Sequence, residues 1–109
     1  MIYHDIDTDS KEFHRWIILR SLHAAYPNAY AENALLSALI AIPIRISAIN
    51  LRKELGYLEG KGLIEISKKD NPPWFAKILA TGIDVVEYNA DAPAGIARVP
   101  KYHGLTGGA

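Results

Sequence analysis

The side chains best equipped to contact another molecule fall between residues 45 and 69. Asn50 and Lys53, three residues apart and so on one face of a helix, supply a carboxamide and a charge for base edges or phosphates. Arg45 and Ser47 precede this pair, and Arg52 stands beside Lys53. Ile49 offers an apolar group of the kind that packs on a thymine methyl, and Tyr57 adds an aromatic ring. Lys68 and Lys69 form a second cationic point in a polar loop, suited to a phosphate backbone.

Other chemistries lack their residues. His4, His14, His23 and His103 are too scattered for a metal-ligand motif, and no H-E-x-x-H spacing occurs. The absence of cysteine removes disulfides, thiolate metal sites and thiol nucleophiles together, and suits a reducing compartment. Neither G-x-S-x-G, a Walker A loop nor G-x-G-x-x-G is present, and Gly60-Lys61-Gly62 is too short to cradle a phosphate, so it reads as a turn. No catalytic residue, metal or cofactor is assigned, and binding is expected in place of catalysis.

Charge divides the chain unevenly. Twelve Lys and Arg balance twelve Asp and Glu, which weighs against a nucleic-acid partner, whose attraction usually draws on a positive excess. Yet Pro43 to Lys77 holds seven Lys or Arg against four Asp or Glu, and the flanking segments are both acidic on balance. Glu54 and Glu59 would bring negative charge to a helix facing phosphate, and the exposed Ile49 also suits a protein partner. Met1 to Ser10 has no apolar run, so no signal peptide is expected, and Ala34 to Ile44, interrupted by Pro43, is too short to span a bilayer. A cytoplasmic protein without a membrane segment is expected.

The elements that must position these residues follow from periodicity and punctuation. Asp9 and Glu12 have capping-box spacing for a first helix from Ser10 to Tyr26, ended by Pro27. Its apolar residues occupy more than one face, so Phe13, Trp16 and Ile17, with Val86 from the last helix, are assigned to a homodimer seam. A second helix, Asn33 to Ala41, turns Leu35, Leu36, Leu39 and Ile40 inward.

Ser47 caps a third helix running to Glu59, with Ile46 and Leu51 as a hydrophobic staple and Ala48, Leu51, Leu55 and Leu58 as the buried stripe. Ile49, Asn50, Lys53, Gly56 and Tyr57 then face outward. Leu63 to Ser67 and Trp74 to Leu79 read as a hairpin around the loop Lys68 to Pro73, with Trp74 and Phe75 on opposite faces. Thr81 should cap a fourth helix from Gly82 to Asn89 carrying Ile83 and Val86 inward. The fold class is α+β, mainly α, with a domain over 1–89 and an extended C-terminal arm over 90–109.

The order helix, helix, turn, helix, hairpin is similar to that of the winged helix-turn-helix superfamily. Leu55-Gly56-Tyr57-Leu58-Glu59-Gly60-Lys61-Gly62-Leu63-Ile64 resembles its junction between recognition helix and wing. Over residues 10–89, with Trp74 opening the second wing strand and Thr81-Gly82-Ile83-Asp84 the last helix, the chain also resembles small winged-helix proteins of Mu-like bacteriophages and prophages. The resemblance implies a helix-turn-helix domain presumed to regulate transcription or act in phage development, and with the residues above the preferred expectation is a dimer binding double-stranded DNA through helix 47–59 and wing 68–73. The competing reading keeps the scaffold but binds protein, in phage assembly or a regulatory complex, through Ile49, Tyr57 and the apolar tail.

Overall fold

Neither glycine nor proline interrupts residues 2–25, and once a helical turn has formed each further residue adds a hydrogen bond at little cost. In the computed structural model, which describes residues 2–101 and the side chains of residues 10–101, this segment is one helix, α1 (Ile2–Ala25). It starts earlier than capping-box spacing suggested, so Asp9 lies within the helix and not at its start.

A two-residue strand, β1 (Tyr30–Ala31), leads into α2 (Glu32–Ala41), whose first amide donates to the Trp74 carbonyl at 2.9 Å. Leu35 and Leu39 are buried, but Ile40 is exposed, which narrows the expected inward face. The turn closes where the Ile42 and Ile44 amides both donate to the Leu39 carbonyl.

Ser47 starts α3 (Ala48–Gly60) as expected, its Oγ accepting from the Asn50 amide at 3.1 Å. Leu51, Leu55 and Leu58 form the buried stripe, each contributing about 2 kcal/mol of apolar burial. Ala48 is exposed, and Glu54 takes the place it was expected to share on the inner face. The stop comes at Gly62, with φ of 76°: its amide donates to Glu59 and that of Leu63 to Leu58, the paired bonds of a Schellman ending that a left-handed residue permits.

The chain reverses there into β2 (Ile64–Ser67) and returns as β3 (Phe75–Ile78). The antiparallel sheet has the order β1-β3-β2, with Tyr30 opposite Ala76 and Ile66 opposite Ala76 on the other side. Alternation buries Ile64, Ile66, Ala76 and Ile78, and leaves Glu65 and Lys77 outside.

A short helix, α4 (Ala80–Val86), starts and ends earlier than expected and has no side-chain cap, since Leu79 holds the cap position; Thr81 lies inside the first turn, where its hydroxyl donates to the Gly62 carbonyl. Gly82 and Val85 are its buried residues, with Ile83 and Val86 packed more peripherally.

α1 is the centre of the molecule, packing on α3, α4 and β3. Its wide apolar surface is largely covered by the chain itself. Trp16 is 2% exposed and meets the Tyr88 ring edge-on, so it belongs to the core and is not available to a dimer seam. Phe13 remains 41% exposed, with Ile17 half-buried against the core.

Residues 90–101 lack helix or strand but are seated on this body. Ile96 joins the core, the Ala97 amide donates to the Glu12 carbonyl, and Arg98 donates to the Val85 and Ala90 carbonyls at the end of α4. The part of the expected arm beyond Lys101 lies outside the described residues. Among the described residues, no helix is long and apolar enough to cross a membrane.

Candidate functional site

The buried stripe of α3 fixes which side chains it presents. With Leu51, Leu55 and Leu58 turned inward, Ile49, Asn50, Lys53 and Gly56 are exposed, and among the described residues Ile49 is the most open large apolar one at 70%. Arg45 is exposed on the preceding turn. Among the described residues neither Arg45 nor Lys53 makes an ion pair. Ser47 has a structural duty, since its oxygen holds the start of the helix.

Arg52 is placed differently from its neighbours. Its Nε and Nη2 donate to the two carboxylate oxygens of Glu32, both at 2.7 Å, and its guanidinium lies 4.4 Å from the Trp74 ring centroid. Glu32 Oε2 also accepts from the Trp74 amide at 2.8 Å. The Arg52 fork holds the Glu32 carboxyl below the ordinary carboxylate range, with help from the Trp74 amide and against the opposing effect of burial. This cluster ties α2, α3 and the hairpin together, and removes the arginine's fork from the open face.

The C-terminal half of α3 is likewise engaged. Glu54, 6% exposed, accepts from Arg15 Nε at 2.6 Å. Arg15 also donates Nη1 to the Gly95 carbonyl at 2.9 Å, and its guanidinium carbon stands 3.6 Å from the Tyr57 ring centroid. The Tyr57 hydroxyl donates to the Ala94 carbonyl at 2.9 Å. Gly95 has φ of 94°, and a β-carbon there would lie 2.0 Å from the Tyr57 hydroxyl, so only glycine lets the arm pass.

Glu54 therefore does not oppose phosphate on the outer surface, contrary to the expectation from its charge. Its place was readable: Glu54 sits three residues after Leu51 and four before Leu58, on the stripe itself. Glu59 is also occupied, with Oε1 on Lys69 Nζ and Oε2 accepting from the Ile66 amide at 3.2 Å. Lys69 is thus drawn back to the helix. Lys68, with φ of 65°, stands 5.4 Å from the Phe75 ring, on the exposed hairpin tip. Of the two adjacent aromatics, Trp74 packs on the core and Phe75 remains half-exposed.

Two grooves flank the open face. One of about 550 Å³ lies between α2, α3 and the hairpin tip, its apolar lining formed by Leu36, Ala48, Ile49, Pro72 and Pro73. The other, about 380 Å³, is polar and lies between α1 and α3, lined by Lys11, His14, Arg45, Asn50 and Glu54. Burial lowers the His14 pKa, outweighing the raising effect of Glu54, so the imidazole is biased toward its neutral form. Among the described residues, no three His, Asp or Glu side chains come together as metal ligands would.

Comparison with known proteins gave no match to a family model, to a curated protein or to a solved structure.

Proposed function

We propose that the protein binds double-stranded DNA as a winged helix, with the N-terminal half of α3 in the major groove and the hairpin tip on the adjoining backbone. The observation that carries this reading is the joint exposure of Ile49, Asn50 and Lys53 on one helix face, next to the exposed Arg45. An amide, an apolar group and two cations match the base edges and phosphates of a duplex. The order helix, short strand, helix, helix and hairpin, with β1 closing the sheet against β3, supports the winged arrangement.

The contact set is then Arg45, Ile49, Asn50, Lys53 and Lys68. Arg52, Tyr57 and Lys69 serve mainly to hold the scaffold in register, and Ser47 to start the helix. A dimer rests on Phe13, with Ile17 and Val86 at its margin, and a phage or prophage regulator is the setting that the sequence resemblance favours.

Fluorescence anisotropy of a mixed-sequence duplex at two salt concentrations tests the reading. Binding that weakens with salt is the expected result, because phosphate contacts release counterions. The apolar groove beside Ile49, with Ile40 and Ile42 also exposed, favours a second reading as a protein-docking module. Absence of binding to any duplex at low salt would select it.

A further inference from the structure

We propose that α3 reads an A·T step, with Ile49 against a thymine methyl and Asn50 on the adjoining adenine; this rests on the DNA-binding reading above. Ile49 and Asn50 are successive residues in the first turn of α3, both exposed, and Lys53 follows them on the next turn. Ala48, also exposed, is a small side chain at the helix start.

The donor and acceptor pattern decides between base pairs. Adenine offers an acceptor at N7 and a donor at N6, which one carboxamide satisfies in a bidentate contact, and thymine alone offers a C5 methyl in the same groove. Guanine offers two acceptors, best met by an arginine fork. The one arginine of α3 is Arg52, and its fork is occupied by both oxygens of Glu32. On α3 itself the open face therefore holds the groups for A·T, and the nearest guanidinium not engaged by Glu32 is that of Arg45, on the turn before the helix.

Alternating poly(dA-dT), poly(dA-dU) and poly(dG-dC) duplexes are the probes, compared by anisotropy with the wild-type chain and with Ile49→Ala and Asn50→Ala. All three duplexes carry the same backbone charge, so the phosphate contribution largely cancels. The wild type should prefer dA-dT over dG-dC by about tenfold or more, the scale of one bidentate base contact. Replacing thymine by uracil, which deletes only the methyl, should weaken binding by about three- to fivefold, as expected for one buried methyl group.

Ile49→Ala should bind the thymine and uracil duplexes alike, and Asn50→Ala should lose most of the preference over dG-dC. Both positions are exposed, so the variants should melt with the wild type. Equal binding of dA-dT and dA-dU by the wild type, or a preference for dG-dC, would overturn the inference and leave DNA binding standing. Binding to none of the duplexes would overturn both.

Discussion

The two halves of α3 are built from similar residue types and used in opposite ways. In the first half Ile49, Asn50 and Lys53 face solvent. In the second, Glu54 meets Arg15, Tyr57 meets Arg15 and the arm, and Glu59 meets Lys69 and β2. A polar residue on a helix is therefore not in itself a sign of an exposed face. What separates the halves is which other elements reach them: α1, the arm and the hairpin root close around the C-terminal turns, while the N-terminal turns stand clear beside two grooves.

The sharpest way to break this contrast is Arg15→Ala. It would leave the Glu54 carboxylate buried without its cation, and should cost about 3 kcal/mol in urea unfolding, the scale for removing one partner of a buried pair. A loss under about 1 kcal/mol would mean that the closed half is not held as described. Lys53→Glu should do the reverse, weakening duplex binding by about tenfold or more and reducing the salt slope by about one, with the melting temperature nearly unchanged. If duplex binding is unaltered, the open half has been misassigned.

Tyr57→Phe removes one hydrogen bond to the arm and should cost about 1 kcal/mol of stability without affecting DNA affinity. The smallest effect should come from pH. Because the folded state lowers the Glu32 pKa, its contribution is present above the unfolded carboxylate value and is lost as pH falls through the folded one. Between about pH 5 and about pH 3 the wild type should lose more stability than Glu32→Gln does, as followed by urea midpoints. Parallel declines would show that the Glu32 cluster does not depend on its charge.

Local rules made much of α3 and the sheet readable. The Ser47 cap, the spacing of Leu51, Leu55 and Leu58, the reversal at Gly62 and the alternation of Ile64 and Ile66 each depend on residues a few positions apart. β1 did not announce itself, because two residues carry no period and Tyr30 finds its partner only at Ala76. The same distance hid the working pairs. Arg52 meets Glu32, Arg15 meets Glu54 and Tyr57 meets Ala94 across turns of chain that no spacing rule connects. Hence the presented residues Ile49, Asn50 and Lys53 could be named from periodicity, whereas the inward commitment of Arg52, Tyr57 and Lys69 required the folded chain.

The Glu59 contact has a consequence for how molecules behave in a crowd. β2 is an outer strand, and its Ile66 amide turns away from β3 to the Glu59 carboxylate. Unpaired amides on such a strand invite a neighbouring chain to add itself to the sheet. Here a charged side chain already occupies that amide, and an incoming backbone would have to displace it. The Glu59 carboxylate thus stands where an added strand would have to bond, an obstacle to edge-to-edge pairing that gains weight as molecules are concentrated.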